Sequence, residues 1–260
     1  MRPVCLITGA SAGIGAALAR VFAQHGHELV LTARRVSQLD SLADDIAAAG
    51  YPRPSVIAAD LVSADGVAHL AEAMRALGVE PAIVVNNAGY GLLGGADRRD
   101  PADTLAMIDL NARAMTDLSL RFIDSVTRHR GGILNVASIA SFLPGPGMAV
   151  YHATKAYVLS LSEALHQELR SSGVRVCALC PGPVDTEFNG RAGIPRRYFP
   201  SFLRVPATQV AQDGYAGLMG RDRVVVPGAL NRLVTLLPRL LPRGLLLAAV
   251  GYHWRRDGSR

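Results

Sequence analysis

Among 260 residues there is a single lysine, Lys155, and since Lys and Arg together number 27, the other 26 are arginines. A chain that uses arginine almost everywhere keeps an ammonium where a guanidinium does not serve, as a compact charge in a tight site that shifts a neighbour's pKa. Four residues earlier stands Tyr151, in the run Tyr151-His-Ala-Thr-Lys155. On a helix that spacing puts both side chains on one face. A phenol with an ordinary pKa of ~10 is a poor base at neutral pH. A neighbouring ammonium stabilises the phenolate and makes the pair a usable proton donor and acceptor. His152 is one helical step away and is expected to point elsewhere, so no catalytic part is expected of it.

A second group of residues suits an anion. After the first apolar run comes Thr8-Gly9-Ala-Ser11-Ala-Gly13-Ile14-Gly15, opening a helical stretch. Glycines here let the backbone turn sharply and approach a pyrophosphate, while the helix N-terminus offers N–H donors and positive partial charge. The next apolar run ends in Thr-Ala-Arg34-Arg35, with no acid before Asp40. A site for NAD places a carboxylate near this point, whereas an arginine suits a 2′-phosphate held by a bidentate guanidinium. NADP(H) is therefore the expected cofactor, with Arg34 the stronger candidate because Arg35 could simply face solvent.

These residues need elements to hold them. Short, continuously apolar runs at 3–8, 27–33, 54–60, 82–89, 132–138, 174–180 and 223–228 read as strands. Helical stretches fall between them at 14–25, 36–49, 65–77, 104–128 and 153–171. Strands without polar alternation are covered by helices on both faces. The expected class is α/β, a doubly wound Rossmann fold with a mostly parallel sheet of about seven strands. No linker or repeat interrupts it, so residues 1–260 are expected to form one domain. Residues 187–206, rich in Gly and Pro among bulky groups, are expected to form a lid, and 229–256 a C-terminal helical extension.

The spacing Gly9-x-x-x-Gly13-x-Gly15 after a threonine, the Tyr151-x-x-x-Lys155 pair and Ser138 at the end of the fifth strand resemble the short-chain dehydrogenase/reductase (SDR) family, over about residues 3–228. The resemblance implies hydride transfer between NADP(H) and a ketone, aldehyde or alcohol. It assigns Ser138 to the substrate oxygen, Tyr151 to the proton and Lys155 to both the tyrosine and the nicotinamide ribose. Asn111, in Leu-Asn-Ala-Arg-Ala, matches the asparagine that helps a water link the lysine to solvent. Ser11 and Ile14 join the glycines at the cofactor, Asp60 and Leu61 match the adenine contact, and Asn87, Ala88 and Gly89 shape the cleft. Asn86 is expected to bond between strands instead. Pro181, Gly182, Val184 and Thr186 resemble the loop beside the nicotinamide. Phe188, Tyr198, Phe199 and Phe202 suggest an apolar binding surface and a lipophilic substrate. Relatives are commonly dimers or tetramers, so a homodimer or homotetramer is expected. Two alternatives remain: a non-catalytic nucleotide-binding sensor or scaffold on the same fold, and a 3-oxoacyl-thioester reductase, against which the long tail argues.

Composition bounds the rest. Half the residues are hydrophobic and 18% are charged, enough for a large core, and the net charge of +6 suits something anionic. The basic residues are scattered, with no interleaved aromatic array, so nucleic acid is not expected as a partner. Cys177 and Cys180 form C-x-x-C within a strand, where residues three apart point to opposite faces, so core positions are expected and no metal site. No apolar run reaches the ~20 residues of a membrane span. The chain opens almost directly on strand-like residues, so no cleavable leader and a cytoplasmic location are expected. In the tail, leucines alternate with Arg232, Arg239, Arg243, Arg255 and Arg256 and are broken by Pro238 and Pro242. Such a segment could cover the cleft, form a subunit contact or rest on an anionic membrane.

Overall fold

The computed structural model describes residues 1–195 and 198–257, with Arg239 and residues 253–257 described by backbone alone. Residues 196–197 of the expected lid and the side chains of Arg239, Arg255 and Arg256 therefore lie outside the described residues. Seven strands form one sheet: β1 (Arg2–Thr8), β2 (Leu29–Ala33), β3 (Ser55–Ala58), β4 (Val79–Asn86), β5 (Gly132–Val136), β6 (Arg175–Leu179) and β7 (Val224–Val225). Their order is β3-β2-β1-β4-β5-β6-β7, and every neighbouring pair is parallel. The sheet is doubly wound, as expected.

Alternate residues of each strand feed two separate cores. Cys5 and Ile7 of β1 pack with Leu18 and Phe22 of α1 (Gly13–Gln24), Leu39 and Leu42 of α2 (Val36–Ala48) and Leu218. Val4 and Leu6 pack on the opposite face with Leu70 and Met74 of α3 (Gly66–Ala76) and with Leu118 and Val126. Burial on both faces is what removed the polar alternation from these strands. Cys177 belongs to the first core and Cys180 lies in a cluster with Met115 and Val158, so the C-x-x-C pair does point to opposite faces. Burial raises both thiols' pKa values, Cys177 to about 12, which leaves them protonated and unreactive.

Three helical regions depart from expectation. The stretch 104–128 is broken into α4 (Pro101–Ile108), a π-helical turn (Asp109–Ala114), α5 (Met115–Arg121) and α6 (Ile123–Arg128). It starts early because Asp100 accepts from the Ala102 N–H and Pro101 takes the first helical position. The helix carrying the tyrosine–lysine pair, α7 (Ala149–Leu169), also begins before residue 153, as soon as the Pro-Gly turns of 144–147 end. Tyr151 thus lies in its first turn. Residues 207–220 form α9, for which no element is expected from sequence. Its buried positions, Val210, Ala211, Gly214, Gly217 and Leu218, recur at helical spacing, but most are too small to make the pattern stand out. Between β6 and α9 lies a short helix, α8 (Glu187–Ala192), and the tail folds as α10 (Ala229–Leu240) and α11 (Arg243–Asp257).

Candidate active site

A cleft of about 820 Å³ opens beyond the carboxyl ends of the strands, where β1 and β4 carry the chain to opposite sides of the sheet. Such a switch point is where open α/β sheets bind ligands. Every expected cofactor and catalytic residue lines this cleft except Gly15 and Asn111, which stand just behind its wall. Gly9 has a left-handed φ of 65°, which glycine adopts freely. A Cβ on Gly15 would come within 2.3 Å of the Gly9 carbonyl oxygen, so glycine here lets the helix start against the turn. Asn87 braces the same turn from β4, its Nδ2 donating to the carbonyls of Thr8 (2.9 Å) and Gly9 (3.1 Å). Asn86 donates to Asn135 Oδ1 (2.8 Å) and Ser119 Oγ (2.9 Å), the interstrand role expected of it.

At the other end sit Tyr151, Lys155 and Ser138. Tyr151 and Lys155 are buried, with the Lys155 Nζ 5.9 Å from the phenol ring centroid. Lys155 donates to the Val136 carbonyl at 2.7 Å, which anchors α7 to the end of β5. Burial lowers its pKa to about 8. Burial raises Tyr151 to about 12, and a hydrogen bond with Ser138 pulls it part of the way back. The sequence led us to expect a lowered phenol. In the protein alone desolvation is the larger effect, so Tyr151 is held as a neutral O–H. Ser138 in turn accepts from the Ala140 N–H (3.1 Å), which fixes its side chain.

Asn111 stands behind the cleft wall, held there by its side chain. Its side chain is used on structure: Oδ1 accepts from the Tyr90 N–H (3.1 Å), and Nδ2 donates to the Tyr90 carbonyl (2.8 Å) and to Thr154 Oγ1 (3.2 Å). It therefore clamps the loop after β4 against α7. It does so from the π-helical turn, a feature frequent at functional sites. His152, expected to point away, also lines the cleft, but its Nδ1 is bonded to the Leu143 carbonyl at 2.8 Å.

Of the two arginines after β2, Arg35 is engaged, its guanidinium pairing with Glu187 of α8 (2.8 Å) and donating to Ser11 (3.2 Å). Arg34 lines the cleft and has no carboxylate partner among the described residues. Sequence reasoning missed Arg191 of α8, whose guanidinium lies 4.5 Å from the Tyr90 ring centroid and also lines the cleft. Burial and the nearby Arg34 charge lower its pKa. Only its nearness to the expected lid could have pointed to it. The substrate end adds Met148, Phe188 and Leu203, and the tail contributes Val234 of α10 and Val250 of α11.

The family model for short chain dehydrogenase matches residues 3–195. The chain belongs to that family. An uncharacterised oxidoreductase of Myxococcus xanthus is 34% identical over 94% of both chains. A short-chain dehydrogenase from Sphingobium yanoikuyae, solved in complex with NADPH, is 32% identical with a TM-score of 0.79, over 98% of this chain and 94% of that one. The bulky-bulky ketone specific alcohol dehydrogenase of Comamonas testosteroni is 30% identical with a TM-score of 0.76, over 95% and 94%. A further family structure, from Burkholderia phymatum, was solved with NAD. As a short-chain dehydrogenase, the chain is an oxidoreductase of alcohol or carbonyl groups.

Proposed function

We propose that this protein is an NADP(H)-dependent reductase of lipophilic ketones or aldehydes, acting through Tyr151, Ser138 and Lys155 in one catalytic domain. The observation that carries the reading is the neutral, buried Tyr151 hydroxyl bonded to Ser138 at the apolar end of a cleft whose other end holds the glycine turn and Arg34. The residues present fit a phosphorylated dinucleotide. The turn of Gly9 to Gly15 opens α1 with bare N–H groups and no acidic residue in its first turn, which suits a pyrophosphate. Arg34 and Arg191 supply positive charge and form no ion pair among the described residues, which suits a 2′-phosphate. Asp60 and Leu61 would flank the adenine, and Val184 and Thr186 the nicotinamide.

A bound nicotinamide supplies the hydride. The chain's own residues handle the oxygen and the proton. Ser138, fixed by the Ala140 N–H, hydrogen-bonds the carbonyl oxygen and orients it. Tyr151 gives its proton to that oxygen as negative charge develops there. Lys155, anchored on Val136, stabilises the phenolate left behind. Met148, Phe188 and Leu203 keep water from the reacting centre. The apolar lining, and the ketone specificity named for the Comamonas relative, favour a bulky lipophilic substrate over a small polar one.

The test is a series of aryl and alkyl ketones assayed for NADPH oxidation. Wild type is expected to turn over the bulkier members. Tyr151→Phe should lose about two to four orders of magnitude in kcat while binding NADPH unchanged. Full turnover in that variant would remove Tyr151 from the mechanism.

A further inference from the structure

The helix α10 is built inside out. Its inward face is polar: Asn231 is 1% exposed and Thr235 6%, while Leu233 is 58% exposed and Leu240 78%. Asn231 donates to the carbonyls of Leu203 (3.1 Å) and Pro227 (3.0 Å). A Cβ on Gly182 would come within 2.5 Å of its side chain, so this polar face is wedged against the loop beside the nicotinamide pocket. Leu230, Leu233, Leu237 and Leu240 recur at three- and four-residue steps, which puts them together on the outer face. Leu236, Leu241, Leu245 and Leu247 are also exposed. A folded chain does not ordinarily leave so large an apolar face in water, and such faces mark interaction sites.

Charge decides what covers it. From Ala229 to Arg256 the sequence has five arginines and no Asp or Glu. A two-fold contact between copies uses the same patch twice and so brings together two segments that each carry five arginines and no carboxylate. An anionic lipid surface meets both needs, since headgroup phosphates take the arginines and the acyl boundary takes the leucines. No helix among the described residues is long and apolar enough to cross a membrane, so the contact is a surface one.

We propose that the leucine face of α10 docks the protein on the surface of a bilayer containing anionic lipid. Val234, on the same helix, lines the cleft, so docking sets the apolar end of the cleft beside the lipid. The docking stands apart from the cofactor and substrate assignments.

Flotation of the full chain with phosphatidylcholine vesicles, with and without phosphatidylglycerol, tests it. The protein should float with the anionic vesicles and largely stay behind with phosphatidylcholine alone. Replacing Leu233, Leu237 and Leu240 together by Gln should abolish flotation while the melting temperature and NADPH binding stay as in wild type. Arg243→Gln should weaken partitioning by about fivefold, the worth of one basic residue near an anionic surface. Failure to float, or equal binding to both vesicles, overturns the proposal. So does a sedimentation dimer that the leucine variant converts to monomer, because a second copy would then cover the face.

Discussion

Lys155 carries a cost to the fold that the proposed reaction explains. It is buried, with its pKa lowered from the ordinary lysine value to about 8. Between pH 8 and ~10.4 the unfolded chain binds more protons here than the folded one, so this group makes stability rise with pH across that window and penalises the fold below it. Lys155→Met should therefore raise stability at neutral pH by about 1 kcal/mol, after the lost bond to Val136 is allowed for, while removing activity. A thermal melt beside a turnover assay checks this, and a lower melting temperature would show that the bond outweighs the buried charge. For Tyr151 the sign is opposite. Its pKa, raised to about 12, keeps the phenol protonated through neutral pH, the form that donates in reduction. For ketone reduction kcat/KM, which reports the free enzyme, should stay level up to about pH 8. For alcohol oxidation, which needs the phenolate, it should climb with pH. A reduction rate that rises with pH would contradict this assignment of the donor.

At the scale of elements, a buried polar chain ties the site's supports together. Ser119 of α5, Asn86 of β4, Asn135 of β5 and Ser162 of α7 are linked by bonds of 2.8 to 2.9 Å. Because α7 carries Tyr151 and Lys155, this chain fixes the height of the pair above the sheet. Asn86→Ala should cost about 1 to 3 kcal/mol by leaving the buried Asn135 Oδ1 without its donor, read as a shift in denaturant midpoint. An unchanged midpoint would mean the chain is not strained by the loss. Asn86 was legible as a strand-to-strand bond, but Asn135 was not, since one asparagine in an apolar run gives no sign of its partner. The parallel, doubly wound sheet and the convergence of Gly9, Arg34, Ser138, Tyr151 and Lys155 followed from apolar runs and motif spacing, which depend on local periodicity. Arg191 and α9 were missed because their places depend on what packs against them. Asn111 was legible only through a resemblance, and its amide bonds to Tyr90 and Thr154 have no sign in the residues beside it in sequence.

At the scale of the whole molecule, one chain lines both ends of the cleft, and its tail lines the apolar end proposed to take the substrate. Val234 and Val250 reach it from α10 and α11. Val234→Phe or Val250→Phe should narrow that end and lower kcat/KM for bulky ketones by about tenfold or more, leaving small ones less affected. Equal losses for both would place the tail's effect outside the cleft. The cofactor end depends on charge instead. Parallel fluorescence titrations of the wild type and Arg34→Asp with NADPH and NADH test the account most directly. Wild type is expected to bind NADPH much more tightly than NADH, and Arg34→Asp to erase or reverse the preference with little change for NADH. Equal affinity of the wild type for both, or a preference that survives the substitution, would contradict it.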